Sequence, residues 1–180
     1  MFALLMAVII GAALLKPAEN LFYKRAYPCE YSEYVSYYAK EYDVPQSLIY
    51  AVIRSESSFN PNAESSIGAR GLMQITQDTY DWAVYRMGEV PENGYDSLWN
   101  PKENIRIGVY ILSQLIREFK TEETAMCAYH AGWGNVKSWL ADSKYSSDGI
   151  NIHTIPFADT GQYVPKVMKT KEMYEELYNI

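Results

Sequence analysis

The sequence has few of the residues that bind metals, with only two cysteines and two histidines among its 180 residues. Cys29 and Cys127 allow at most one disulfide, and neither they nor His130 and His153 show the spacing of a zinc site. We therefore predict that the protein holds no metal and no cofactor. Cys127 lies among small and aromatic residues in a helical segment, which favours a buried free thiol, and Cys29 is not an obvious partner for it.

An excess of positive charge is also missing, since sixteen Lys and Arg residues face twenty-two Asp and Glu, for a net charge of −6. A partner held through its phosphate backbone needs many basic side chains, so we exclude nucleic acid as a partner. Tyrosine is abundant instead, with seventeen residues beside four tryptophans. Aromatic faces stack on sugar rings, although most of these side chains are expected to pack in the core or at its rim.

No alternating strand pattern of any length and no internal repeat is present. Apolar residues recur at helical spacing, and together with capping residues they predict helices over 30–42, 45–56, 77–87, 101–116, 121–129, 136–140 and 162–178. The helix that starts at residue 101 is predicted to be the central core element. The polar stretch 143–156 is predicted to be a loop over a groove. The sequence thus predicts an all-α protein with one globular domain over residues 29–180.

The first fifteen residues form a separate apolar segment, because residues 2–15 are all apolar apart from one glycine. This length is short for a membrane-spanning helix of about 20 residues but suits a signal-peptide core or a short anchor. Its charge is unusual, since Lys16, Lys24 and Arg25 follow the segment and nothing basic precedes it. We expect an uncleaved N-terminal anchor or signal segment at 1–15, a linker at 16–28, and an exported protein that can contact the membrane through this segment.

Glu56 is the main candidate for a catalytic residue. It lies three residues after Ile53 and four after Val52, so it continues the apolar stripe of the helix 45–56 at its very end, shortly before Pro61 stops the helix. A carboxyl group where apolar neighbours meet a cleft has a raised pKa and can donate a proton at neutral pH. The alternative is an ordinary exposed glutamate in the last turn of a helix.

Four motifs occur in order along the chain, namely Glu56-Ser57, the run 71–74 (GLMQ), the run 128–132 (AYHAG) and the run 159–164 (DTGQYV). Together they resemble the signatures of the lytic transglycosylase domain of the soluble-lytic-transglycosylase type, a distant relative of goose-type lysozyme. The resemblance covers about residues 27–180. It implies a lysozyme-like all-α domain with a substrate groove, a peptidoglycan glycan strand as partner, a monomer, and a location outside the cytoplasm in the cell envelope.

Most glycosidases use two carboxylates, but this sequence offers one good candidate, because Glu64, Asp78 and Asp81 lie in polar contexts and the resemblance gives them no catalytic part. The resemblance implies that Glu56 protonates the oxygen between N-acetylmuramic acid and N-acetylglucosamine. It then takes the proton of the muramic 6-hydroxyl, so that a 1,6-anhydro product forms without water. Two alternatives remain, a muramidase-type hydrolase of the same bond and a non-catalytic peptidoglycan-binding module.

The resemblance also assigns five substrate-binding residues. It implies that Ser57 and Gln74 hydrogen-bond the substrate or hold the catalytic carboxyl group, and that Met73 forms an apolar wall beside the sugar. Tyr129 is expected to line the groove. Tyr163 is expected to reach the catalytic carboxyl or the N-acetyl group. For both tyrosines, packing in the core is the alternative interpretation.

Two positions depart from the family pattern. His130 stands where the family usually has Asn, and Gly161 stands where it often has Arg. We expect both changes to affect subsite geometry and substrate preference more than activity. His130 introduces a group that titrates near pH 6.5, although a structural histidine is the alternative. Arg70 either orients its loop or is solvated, and it is left out of the predicted site.

Overall fold

The structure, a computed structural model, describes residues 21–180. The predicted anchor or signal segment at 1–15 and the start of the predicted linker lie outside these residues. Residues 21–26, within the linker range, form a helical stretch. The Tyr178 hydroxyl contacts the carbonyls of Lys24 and Tyr27, at 3.3 and 2.8 Å, so this stretch is attached to the C-terminal end of the domain. Within residues 21–180, no helix combines the length and apolarity that crossing a membrane requires.

Seven α-helices follow that stretch in the described part of the chain, and the all-α prediction is confirmed. They are α1 (Ser32–Tyr42), α2 (Gln46–Ser57), α3 (Gln77–Met87), α4 (Pro101–Phe119), α5 (Glu122–Ala131), α6 (Trp133–Leu140) and α7 (Ala158–Tyr178), with a 3-10 helix at Gly94–Trp99 before α4. Residues 21–180 contain two isolated β-bridges and no β-strand.

Helix α4 is the central element of the core, as its apolar content predicts. Its start is fixed by Asn100, whose side chain accepts a hydrogen bond from the backbone N–H of Lys102, and by Pro101 at the first helical position. One face of α4 buries side chains along its whole length, and the helix packs against α1, α3, α5 and the 3-10 helix. This arrangement leaves its middle turns to form the floor of a groove.

Helix α2 is buried on nearly every side because α7 packs along it. Helix α7 begins at Ala158, four residues before the predicted start. The sequence gives a weak helix signal there, since Thr160, Gly161 and Pro165 are poor helix formers in isolation. Packing against α2 and α5 outweighs these preferences, and Tyr163 in the second turn of α7 thereby reaches the end of α2.

The irregular segment between α6 and α7 confirms the predicted loop but not its predicted position. Its Ile150 carbonyl accepts a hydrogen bond of 2.9 Å from the Thr124 hydroxyl of α5, and Phe157 packs edge-on against Trp139 at 5.0 Å between ring centroids. None of its residues lines the groove described below. The loop therefore covers another side of α5, where Cys127 is buried as a free thiol, as predicted. Cys29 is also a free thiol.

Candidate active site

Glu56 lies in the last turn of α2, and the C-cap residue Ser58 that follows the helix has a left-handed conformation (φ 51°). The residue Glu56 is half-buried, and its Oε1 accepts a hydrogen bond of 2.5 Å from the Tyr163 hydroxyl. Burial raises the pKa of Glu56 above its usual 4.5, while the hydrogen bond from Tyr163 and the positive charge of Lys166 partly offset that rise. The site thus holds a carboxyl group that keeps its proton to a higher pH than an exposed glutamate does.

Tyr163 reaches Glu56 from the second turn of α7 and is itself buried. Its ring lies against the imidazole of His130, with 4.4 Å between ring centroids. His130 Nδ1 and the Thr160 hydroxyl are 2.9 Å apart in a hydrogen bond, so α5 and α7 are joined beside the tyrosine. Desolvation lowers the pKa of His130 below 6.5, against an opposing effect of Asp159. His130 is therefore neutral at pH 7 and acts as a packing partner of Tyr163.

Ser57 connects the end of α2 to the loop that follows. Its hydroxyl contacts the Leu72 carbonyl at 2.8 Å and the Ile53 carbonyl of its own helix at 3.1 Å. One hydroxyl proton serves one acceptor at a time, and the shorter contact crosses to the loop. Ser57 thus holds the turn that carries Glu56 against the loop 70–75.

Met73 contributes to the site through its backbone. Its side chain is fully buried and packs on Gly108 of α4, where a Cβ atom would overlap the Met73 sulfur. It therefore has no exposed surface to offer a sugar, unlike the apolar wall that the resemblance implies. The Met73 carbonyl accepts a hydrogen bond of 2.6 Å from the Tyr129 hydroxyl, so the residue fixes the position of that ring.

Asn104 organises the loop 70–75 and is absent from the sequence-based site. It is fully buried in α4. Its Oδ1 accepts from the Met73 backbone N–H at 2.9 Å, and its Nδ2 donates to the carbonyls of Arg70 (3.0 Å) and Leu98 (2.9 Å). Gly71 is required opposite, because its φ is +72° and a Cβ atom would overlap the amide of Asn104. The signal in the sequence that could have identified Asn104 is a polar residue on the apolar face of α4.

Gln74 has its amide nitrogen fixed by the loop. Nε2 donates to the carbonyls of Ala63 (3.0 Å) and Gly71 (2.9 Å). Both partners are acceptors, so the nitrogen must face them and both amide hydrogens are used. The Oε1 atom is left as a hydrogen-bond acceptor on a residue that lines the groove.

The main groove has a volume of about 440 Å³ and lies between the loop 70–75 and helices α3 to α6. Its lining residues are Gln74, Ile75, Thr76, Asp78, Thr79, Trp82, Ile111, Leu115, Ala128, Tyr129, Gly132 and Trp133. Two tryptophans from α3 and α6 approach within 5.9 Å between ring centroids. The surface is thus largely apolar and aromatic, with a few polar groups, which suits a sugar ring.

Glu56 itself does not line this groove, but Tyr129 lines it and also lies close to Glu56. Tyr129 is half-buried, lines the groove and is close enough to Glu56 for the carboxylate charge to act on it. Burial, and to a smaller degree that charge, raises the pKa of Tyr129 well above 10. The catalytic candidate is therefore near a residue of the groove wall, although it does not itself line the groove.

The other carboxylates near the loop have different roles. Asp78 is exposed, and it is the one carboxylate among the groove-lining residues. Glu64 pairs with Arg70 at 3.3 Å, and Asp81 accepts a hydrogen bond of 2.9 Å from Gln77. In residues 21–180, no group of three His, Cys, Asp or Glu side chains is placed to hold a metal ion.

Arg70 orients the outer side of the loop. Its guanidinium group also binds Asp96 at 2.6 Å and lies over the Tyr95 ring, 4.4 Å from the centroid. The Tyr95 hydroxyl in turn contacts the carbonyls of Gly68 (2.7 Å) and Ile75 (2.8 Å). Of the two interpretations left open by the sequence, the structure supports the orienting role.

Comparison with known proteins identifies the family. Residues 33–152 match the family described as the transglycosylase SLT domain. The soluble lytic murein transglycosylase of Escherichia coli K12 is 35% identical over 153 residues, which cover 82% of this chain and 23% of that protein. The membrane-bound lytic murein transglycosylase C of Photorhabdus laumondii is 29% identical over 187 residues, covering 92% of this chain and 52% of that protein.

A solved structure has a similar fold. An inactive mutant of the lytic transglycosylase Slt from Pseudomonas aeruginosa superposes with a TM-score of 0.77 at 33% identity, covering 87% of this chain and 25% of that one. This chain spans about a quarter of the length of the soluble relatives that it matches. The lysozyme-like fold predicted from the four motifs is confirmed, and the chain belongs to the transglycosylase SLT domain family.

Proposed function

We propose that this chain is the catalytic domain of a peptidoglycan lytic transglycosylase in the cell envelope, acting as a monomer on glycan strands. The observation that carries the proposal is the 2.5 Å hydrogen bond between Tyr163 and Glu56, a half-buried acid with a raised pKa near the wall of an aromatic groove. The names of the relatives support the same activity, since they are lytic murein transglycosylases.

The reaction needs Glu56 in two protonation states. As an acid, it donates its proton to the oxygen that links C1 of N-acetylmuramic acid to N-acetylglucosamine, and the C1–O bond breaks. The resulting carboxylate then takes the proton of the muramic 6-hydroxyl while that oxygen bonds to C1. The product is a 1,6-anhydro sugar, no water is consumed, and Glu56 regains its proton.

A single acid suffices if the substrate supplies the second nucleophilic group. Asp78, the carboxylate in the groove lining, is exposed, whereas Glu56 is half-buried. We propose that the N-acetyl group of the muramic acid stabilises the cationic intermediate, as in substrate-assisted glycosidases. The free Oε1 of Gln74 is the acceptor that we assign to the N–H of that group.

The remaining predicted site residues act around this centre. Tyr163 orients the carboxyl group and stabilises its charged form between the two steps. Tyr129 forms the groove wall next to the acid. Ser57 holds the turn that carries the acid, through its hydroxyl contact with the Leu72 carbonyl. Met73 holds Tyr129 through its backbone carbonyl. We therefore propose Ser57 and Met73 as positioning residues.

The chemical identity of the new glycan ends tests the proposal. Purified protein is incubated with murein sacculi, and the released fragments are analysed by mass spectrometry. We expect anhydromuramic ends with the wild type and with the exposed control Glu92→Gln, and none with Glu56→Gln.

Two other outcomes would replace the proposal. Reducing ends in place of anhydro ends would identify a muramidase-type hydrolase. Binding to sacculi with no released fragments, from wild type and Glu56→Gln alike, would identify a non-catalytic binding module.

A further inference from the structure

Basic residues cluster on the surface where the described part of the chain begins. The cleft where the end of α2 meets α7 has a volume of about 300 Å³ and is lined by three basic residues and no acid. Tyr27 also lines this cleft and directly follows the helical stretch 21–26, in which two further cations are exposed. We call these five cations the basic face, namely Lys24, Arg25, Arg54, Lys166 and Lys169.

The basic face is not neutralised by protein carboxylates. None of its five cations takes part in a salt bridge within residues 21–180. The Arg54 guanidinium instead lies over the Tyr27 ring, 4.3 Å from its centroid. The Lys24 ammonium likewise lies over the Tyr178 ring at 5.3 Å. The chain as a whole has a net charge of −6, so this face is a local exception that attracts anions.

The cleft within the basic face also contains a polar atom without a partner. Ser55 lines the cleft, and its Oγ is buried and has no hydrogen-bond partner within residues 21–180. A buried hydroxyl without a partner is costly, and a ligand oxygen that accepts its proton would remove that cost. Cations beside such a donor indicate a ligand with anionic oxygens, such as a phosphate group.

Two large apolar side chains are exposed beside these cations. Leu21 is 72% exposed and Phe22 is 70% exposed, at the start of the helical stretch that carries Lys24 and Arg25. Exposed apolar side chains next to basic ones are typical of segments that bind at the interface of a lipid bilayer. This combination favours a lipid surface over a free anion in solution.

The sequence before this stretch brings the basic face close to a membrane. Residues 2–15 form the apolar segment that we expect to act as an anchor, and five residues separate it from Leu21. A chain advances at most about 3.6 Å per residue, so Leu21 lies within about 22 Å of residue 15. The contacts of the Tyr178 hydroxyl attach the stretch 21–26 to the domain. The basic face therefore lies near any membrane that holds residues 2–15.

We propose that the basic face, together with Leu21 and Phe22, docks the domain on the surface of a membrane that contains anionic lipid. The cations bind the phosphate groups of the lipids, and Ser55 donates a hydrogen bond to a headgroup in the cleft. The two apolar side chains enter the boundary between headgroups and acyl chains.

The length of the apolar segment explains why a second membrane contact is needed. Its fourteen residues are fewer than the about 20 of a spanning helix. A weak apolar anchor gives stable membrane binding when a basic patch adds to it. The basic face supplies that second contribution. This inference goes beyond the proposed function and does not depend on it, because membrane binding needs no murein.

The test compares binding of the full chain to two kinds of lipid vesicle. One kind is phosphatidylcholine alone, and the other also contains the anionic lipid phosphatidylglycerol. Flotation gives a partition coefficient for each, and the anionic value is divided by the neutral one. Residues 2–15 have no charged side chain and contribute equally to both coefficients. The ratio therefore reports the contribution of the cations.

Two double variants remove cations from different parts of the basic face. Lys24→Gln/Arg25→Gln changes the helical stretch. Arg54→Gln/Lys169→Gln changes the cleft and keeps Lys166, whose charge acts on Glu56. The matched control Lys40→Gln/Arg117→Gln removes an exposed lysine and an exposed arginine elsewhere. The charge-preserving variant Arg54→Lys/Lys169→Arg shows whether a loss in the cleft comes from charge or from altered packing.

We expect the ratio of the wild type to exceed one and to fall towards one at high salt. Each double variant of the basic face should lower the ratio about thirtyfold, which corresponds to about 1 kcal/mol for each cation removed. The control and the charge-preserving variant should keep the wild-type ratio. Leu21→Ser/Phe22→Ser should weaken binding to both kinds of vesicle and leave the ratio unchanged, because it removes only apolar contact.

Several results would overturn the inference. A wild-type ratio near one, or an equal loss in the control, would show that the basic face does not recognise anionic lipid. A loss in Lys24→Gln/Arg25→Gln alone would show that the stretch next to the apolar segment binds the membrane without the rest of the domain. A loss in the charge-preserving variant would point to packing. Calorimetric binding of inorganic phosphate with no preference for anionic vesicles would identify a site for a free anion instead.

Discussion

Two clefts of the molecule differ in chemistry. The main groove has apolar and aromatic walls, including Trp82 and Trp133, and a single exposed carboxylate. The cleft where the end of α2 meets α7 is lined by three basic residues, among them Lys166, and by no acid. Burial raises the pKa of the Glu56 carboxyl group by desolvation, and the positive charge of Lys166 partly offsets that rise.

Removing the acid Glu56 should have the largest effect on activity. We expect Glu56→Gln to lower the rate of murein solubilisation by at least about 10²–10⁴-fold, the usual contribution of general acid–base catalysis. Initial rates on purified sacculi measure it, with thermal unfolding to show that the variant is folded. A variant that retains the wild-type rate would mean that the acid is another residue.

In the main groove, Asn104→Ala should strongly destabilise the loop 70–75, which forms part of the groove wall. The change leaves the Met73 N–H and the carbonyls of Arg70 and Leu98 without partners in a buried site. We expect the free energy of unfolding to fall by about 2–4 kcal/mol, measured by urea denaturation. The exposed Asn62→Ala should change it by less than about 0.5 kcal/mol. A similar small change for both variants would show that the three hydrogen bonds do not stabilise the loop.

Tyr163→Phe should have a smaller effect and a defined pH signature. The Tyr163 hydroxyl lowers the pKa of Glu56, so its removal should raise that pKa further. The protonated acid then persists to higher pH, and the alkaline limb of the kcat/KM profile should move upward while the maximal rate falls roughly tenfold. A limb that moves to lower pH would contradict the hydrogen-bond assignment.

His130→Asn, which restores the residue usual in the family, should have the smallest effect. His130 is neutral at pH 7 because desolvation lowers its pKa, so activity there should stay within about threefold of wild type. A folded-state pKa below the unfolded value of 6.5 means that wild type loses stability as the pH falls from 6.5. The melting temperature of the variant, measured relative to wild type at the same pH, should therefore rise as the pH is lowered from 7.5 to 5. A constant difference would show that His130 does not titrate in this range.

The sequence could predict Glu56 and the helices because both depend on short-range patterns. The stripe that ends at Glu56 needs only three- and four-residue spacing, and the structure places that residue in the last turn of α2. The capping signals at Asn100 and Pro101 likewise locate the start of the central helix within one residue. The family motifs then selected Tyr163 from seventeen tyrosines, which periodicity alone does not do.

The rest depends on contacts between distant parts of the chain. Asn104 reaches Met73 across 31 residues, and His130 reaches Thr160 across 30. Neither pairing leaves a local signal, so the burial of Met73 and the packing role of His130 were not predictable from spacing. The early start of α7 follows from packing on α2, because the residues at its start are weak helix formers. The cleft where the end of α2 meets α7 likewise combines residues more than 100 positions apart.

Titration of the Glu56 side-chain carboxyl group by ¹³C NMR, with Glu56→Gln to assign its signal, tests the central claim most directly. The claim is that burial beside the groove keeps this acid protonated above the range of an exposed glutamate. We predict a midpoint clearly above 4.5 in the wild type, and a further upward movement in Tyr163→Phe. A midpoint at or below 4.5 would contradict the account, because the group would then be an ordinary carboxylate with no proton to donate at neutral pH.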